Sequence, residues 1–218
     1  MESRAAIAIS EFIIFLSLLL SAYYYAFLPD EIAVHWGVDG SPDGFLPKYW
    51  ILIFPIIYAG IVLLVWALPF ADPLRKNVDQ FRGQYDWFVL ILSFFLAAVQ
   101  VLTLGYNLGW VENMADYVML LASMVIFFAG YLTFIAKRNW FIGIRTPWTL
   151  SSERSWRVTN RVGGALFMLF ALLLPIFNAY LGAASATALI FGLLAVVVFL
   201  YALSYYVYLH DSNRQSPK

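Results

Sequence analysis

His35, Asp39 and Asp43 fall within one short polar stretch, and one imidazole with two carboxylates is a minimal set for a transition-metal site. Asp39, Ser41 and Asp43, followed by Gly44, also place oxygens at alternate positions, as in the first half of a calcium loop. The bidentate Glu that such a loop needs at its twelfth position is replaced by Trp50. The same residues form two successive turn signals, Asp39-Gly40 and Ser41-Pro42-Asp43-Gly44, and a turn accounts for them without an ion. No metal and no cofactor is expected. No nucleophile–base pair is visible, so no catalytic residue is assigned and the chain is read as non-enzymatic.

Residues 139–160, NWFIGIRTPWTLSSERSWRVTN, are the second concentration of chemistry. Trp140 and Trp148 suit a lipid headgroup zone, where the indole body is buried and its N–H stays wet. Pro147 disfavours helix at Thr146. Ser151 is the expected N-cap of a helix starting near Ser152, with Glu153 complementing its dipole. At the helical angle of about 100° per residue, Arg154, Arg157 and Arg161 share one face, and Trp156, Thr159 and Asn160 lie opposite. This spacing predicts a short amphipathic interfacial helix leading into the fifth span. Its basic face suits either lipid or a docking protein.

A third pattern is the stripe Ser93, Gln100 and Asn107, which recurs every seven residues within an apolar run, with Thr103 close to the same face. Lipid cannot satisfy amides, so this face should meet other helices or line a polar cavity.

The elements that must position these groups are membrane spans. The chain has 218 residues, 63% hydrophobic and 12% charged, against roughly 25% charged in a soluble domain. Uncharged runs at 12–28, 49–71, 87–111 and 117–136 can each cross a core of about 30 Å. The run 162–209 is too long for one crossing and divides near Pro175 and the small-residue stretch around Gly182. The expected fold is therefore an all-α integral membrane protein with six transmembrane helices. The first run is read as a retained span rather than a cleaved signal peptide. Cysteine is absent, which removes disulfides and thiolate chemistry.

With six spans, one side holds every Lys and Arg except Lys48: Arg4, then Arg75, Lys76 and Arg82, then Lys137 to Arg161, then Arg214 and Lys218. The positive-inside bias predicts both termini in the cytoplasm of a multi-pass cell-membrane protein. The other side is acidic, with Asp30, Glu31, Asp39, Asp43, Glu112 and Asp116. The chain reads as two halves. Residues 1–111 carry three spans and the outer loop 28–48, while 112–218 carry three spans and the cytoplasmic segment 137–161. A net charge of zero gives no indication of direct nucleic-acid binding.

Residues 142–163, IGIRTPWTLSSERSWRVTNRVG, resemble the signature of the SdpI family of bacterial immunity membrane proteins. The matching positions are Gly143, Arg145, Thr146, Pro147, Trp148, Thr149, Leu150, Glu153, Trp156, Asn160 and Arg161, just downstream of Asn139. The outer stretch LPDEIAVHWGVDGSPD is similar to a domain often found at the N-terminus of that family, departing from it at Ala33, where Pro is common. The resemblance implies resistance to a secreted, membrane-active toxin peptide. Outer residues His35, Trp36, Asp39 and Asp43 would face that peptide. The basic segment would face lipid or a cytoplasmic transcriptional repressor held at the membrane, as in the founding system. Two other readings stay open: a small-solute or lipid transporter using the third-span stripe, and a membrane-embedded metal-dependent enzyme using His35 with Asp39 and Asp43, or Arg145.

Overall fold

The computed structural model describes residues 3–37, 40–182 and 184–212. Its element order is α1 (Ser3–Tyr24), β1 (Glu31–Trp36), β2 (Pro42–Pro47), α2 (Trp50–Ala67), α3 (Arg75–Val78), α4 (Arg82–Asn107), α5 (Met114–Ile135), α6 (Pro147–Ser151), α7 (Glu153–Leu181) and α8 (Ala184–Leu209). Six helices are long and apolar enough to cross a membrane. Large apolar side chains such as Phe12, Phe94, Leu172 and Phe191 point outward, as lipid contact requires.

Between helices in lipid there is no hydrophobic drive, so close approach depends on small side chains and internal hydrogen bonds. The buried face of α1 is Ala6, Ser10, Ile14, Ser17 and Ser21. It lies against α4, whose buried stripe includes Val89, Ser93, Ala97, Gln100 and Leu104. Ser17 and Ser21 donate back to the carbonyls of Ile14 and Ser17, which keeps the interface thin and satisfies their hydroxyls. Pro55 has no N–H, so it leaves the Ile51 carbonyl one turn earlier without its helical partner. Gln100 fills the gap, its Nε2 donating to Ile51 O at 2.7 Å and to Ser21 Oγ at 2.9 Å.

α5 and α7 form the other tight pair. A Cβ added to Gly164 would stand 2.6 Å from Gly130 O, so the two backbones touch where no side chain fits. Asn178 Nδ2 donates to Asp116 Oδ1 at 3.0 Å, tying the last turns of α7 to the first turn of α5. α8 packs on α7, and α4 joins the α1–α2 group to α5. Apolar clusters close the two ends. One gathers Val78, Phe81, Tyr85, Leu132 and Trp156; the other gathers Leu28, Ile32, Ile51 and Leu104.

The structure differs from the sequence expectation at three places. The outer loop is an antiparallel hairpin, with Ile32 opposite Leu46 and His35 opposite Gly44, so the chain is not wholly helical. The alternation of Ile32, Val34 and Trp36 marks β1, but β2 begins and ends with Pro and reads as turn. The basic segment before the fifth span is not a separate helix: α7 runs unbroken from Glu153 through Pro175 to a cap at Gly182, φ +52°. Finally, α4 begins at Arg82, so Arg82 and Asp86 belong to the third span's helix rather than to a loop.

Candidate functional site

The segment between α5 and α7 is organised by two buried asparagines. Asn139 has no exposed surface and uses its whole amide. Its Oδ1 accepts from Phe141 N (2.9 Å) and Ile142 N (2.6 Å), and its Nδ2 donates to Lys137 O (2.8 Å) and Ile142 O (2.9 Å). The chain therefore reverses tightly without helix or sheet. Asn160, one-hundredth exposed, reaches in from α7: Oδ1 accepts from Ile144 N at 2.7 Å and Nδ2 donates to Trp156 O at 3.0 Å. Gly143 has φ +107°, and a Cβ there would collide with Asn160 Oδ1. Only glycine combines that backbone angle with that contact.

Thr146 is extended, as the following Pro requires, and caps α6 in a reciprocal box with Thr149. Thr146 Oγ1 also donates to Ser204 Oγ (3.0 Å), and Ser155 Oγ donates to Ser204 O (2.8 Å), fastening the segment to α8. The cap of α7 is Ser152 rather than Ser151; its Oγ accepts from Ser155 N and donates to Asp211 Oδ2. Trp156 Nε1 donates to Ala136 O at 2.8 Å, and Trp148 packs its ring against Tyr201 and Tyr205. Most of the conspicuous residues here therefore serve as hydrogen-bonded core.

What remains outside is basic. Arg138 pairs with Glu153 at 2.9 Å, Arg154 donates to His210 O, and Arg145 donates to Trp140 O. Lys137, Arg157 and Arg161 are exposed and line a cleft of about 300 Å³ between the ends of α5 and α7.

At the other end, His35 Nδ1 and Asp43 Oδ1 stand 2.5 Å apart across the exposed hairpin face. Trp36 turns away from them and meets Tyr106 edge-on, with centroids 5.2 Å apart. Asp39 lies outside the described residues, and no group of three or more His, Cys, Asp or Glu that could hold a metal occurs among those described. The hairpin is clamped from below by the third-span stripe. Asn107 Oδ1 accepts from Ala33 N (2.8 Å) and its Nδ2 donates to Ala33 O (2.9 Å), as a neighbouring strand would. Ser93 bonds within its own helix, to Leu90 O. The amides of Gln100 and Asn107 thus join neighbouring elements.

A further group is not marked by the uncharged runs. Asp86, one-hundredth exposed, accepts from Arg82 Nε and Ser3 Oγ, each at 3.1 Å. Arg82 Nη2 also donates to Ser3 Oγ (2.7 Å) and Trp66 O (3.2 Å), and Trp66 Nε1 donates to Ser3 Oγ (2.9 Å). The i,i+4 spacing of Arg82 and Asp86 is the sequence signal for it.

Residues 135–206 match the model of the SdpI/YfhL protein family. Residues 12–59, covering much of the first span, the hairpin and the first part of the second span, match a domain of unknown function, DUF1648. The chain is 26% identical over 201 residues to "Immunity protein SdpI" of Bacillus subtilis (strain 168), an alignment covering 92% of this chain and 94% of the relative. No solved structure matches.

Proposed function

We propose that this chain, whose residues 135–206 match the SdpI/YfhL family model and which is similar over nearly its whole length to an immunity protein, is a non-enzymatic, multi-pass protein of the cell membrane that gives immunity to a secreted, membrane-active toxin peptide. The observation that carries the reading is the near full-length similarity to an immunity protein, which includes the hairpin as well as the basic segment. In this reading the two halves, 1–111 and 112–218, divide the work. The hairpin, with His35, Asp43 and the acidic residues around them, faces outward and meets the toxin. The segment 137–161 lies in the cytoplasm, where its basic face meets lipid or a repressor. The Lys/Arg distribution supports this N-in, C-in orientation.

Two experiments test it. The chain has no cysteine, so single cysteines report sidedness without background. Phe45→Cys on the hairpin and Trp140→Cys in the basic segment are both at exposed positions. An impermeant maleimide is expected to label Phe45→Cys in intact cells and Trp140→Cys only after lysis; the reverse pattern would invert the topology. For immunity, the chain is expressed in Bacillus subtilis cells lacking their own SdpI and exposed to the peptide against which SdpI protects. Survival several-fold above the empty vector is the expected result, and survival equal to it, with the protein present in the membrane, would refute immunity to that peptide.

A further inference from the structure

The three cations of the cleft differ from their neighbours in having no internal counterpart. The side chains of Lys137, Arg157 and Arg161 make no hydrogen bond or ion pair among the described residues, whereas those of Arg138, Arg145 and Arg154 each hold a carboxylate or a carbonyl. Arg157 and Arg161 are one helical turn apart, a spacing at which like charges repel unless an anion stands between them. The one acid in the lining, Glu153, is already held by Arg138 at 2.9 Å. The cleft therefore has the charge of an anion site with its internal countercharge engaged elsewhere.

Its other wall specifies the kind of anion. Phe134 and Ile135, in the last turn of α5, form an apolar side continuous with a helix apolar enough to cross the membrane. A volume of about 300 Å³ is at the small end of ligand pockets, enough for a phosphodiester headgroup and far too small for a folded domain. Guanidinium forks match phosphate oxygens in pairs, and a lysine adds a mobile point charge.

We propose that the cleft between the end of α5 and the start of α7 binds the phosphate of an anionic phospholipid, held by Arg157, Arg161 and Lys137, with its acyl chains along Phe134 and Ile135. The chemistry is that of any phosphate-centred anion; the apolar wall assigns it to a lipid. The site does not require a toxin, so its test is independent of the immunity reading.

The full chain is reconstituted in nanodiscs, or purified in detergent, with equal phosphatidylglycerol and phosphatidylcholine, and the retained lipid is counted by native mass spectrometry. Wild type is expected to enrich phosphatidylglycerol roughly tenfold, as expected for a few cations at an anionic lipid surface. The R157Q/R161Q variant should fall to near-equal retention, and R157K/R161K should keep most of the preference. R75Q/K76Q removes two cations outside the cleft and should leave the preference unchanged. A melting temperature measured without added lipid checks that each variant is folded. Equal retention of the two lipids by wild type, or an unchanged preference in a folded R157Q/R161Q variant, overturns the site. Loss of preference in R75Q/K76Q as large as in R157Q/R161Q reduces it to general surface charge and overturns it as well. Displacement of the lipid by low-millimolar glycerol phosphate would assign the cleft to a soluble phosphate, and capture of an acidic peptide without lipid preference would assign it to a protein; either result overturns the lipid.

Discussion

Replacing Asp86 with Ala should destabilise the protein by about 3–5 kcal/mol, the usual effect of removing one partner of a buried ion pair. Asp86 is almost wholly enclosed, and the Arg82 side chain beside it is 15% exposed. Without the carboxylate, the guanidinium is left among the rings of Trp66, Phe70 and Tyr85, whose faces attract a cation but do not neutralise it. Ser3 loses its acceptor in the same step, loosening the first turn of α1. The pair as a whole is worth much less than the loss of one member, because two charges had to be taken out of water to make it. Arg82→Met with Asp86→Leu should therefore restore much of the stability lost in Asp86→Ala. Thermal unfolding in detergent of Arg82→Met, Asp86→Leu and the double variant measures the coupling as a cycle. A loss below about 1 kcal/mol for Asp86→Ala would mean that water reaches the pair and that it is a surface contact.

Gly143→Ala should cost about 3 kcal/mol, combining a strained positive φ of order 1–3 kcal/mol with a displaced buried hydrogen bond of similar size. The new Cβ meets Asn160 Oδ1, the acceptor for Ile144 N. Asn160→Ala removes that acceptor without crowding Gly143, so the two variants separate strain from the lost bond. Near-wild-type melting of Gly143→Ala would show that the turn has another conformation open to it. If either variant also loses protection in the survival assay while its membrane level holds, the segment matters beyond stability.

The spans were legible because lipid imposes a rule that local sequence must obey: about 20 apolar residues for each crossing. The division of the run 162–209 followed from Gly182, where only a residue without Cβ takes φ +52° comfortably. Pro175 did not break α7, since a helix in lipid can keep a proline where its neighbours tolerate it. Asn139 and Asn160 were legible as members of an unusual segment but not as its organisers. Their amides bond backbone groups of a turn that no periodicity announces, and for Asn160 the partner is 16 residues away. Asp86 lies just before the uncharged run 87–111, and a run defined by the absence of charge leaves it to the connecting loop. The hairpin was half visible: β1 alternates, whereas β2 takes its register from pairing and from the Asn107 clamp, both long-range.

The glycine contact between α5 and α7 has a mechanical consequence. α7 has 29 residues and is about 43 Å long at 1.5 Å per residue, a single rod. Where Gly164 meets Gly130 the backbones touch, with the Cβ atoms of Phe134 and Phe167 packed beside them, so a rocking of the rod would have its pivot there. Arg157 is about 10 Å from that pivot and Asn178 about 21 Å on the opposite arm. A tilt that shifts Asn178 by two ångströms against Asp116 therefore swings Arg157 about one ångström the other way. If α7 moves as one rigid body past Pro175, the two ends of the molecule would be geared together, with reversed sense and a ratio of about two to one.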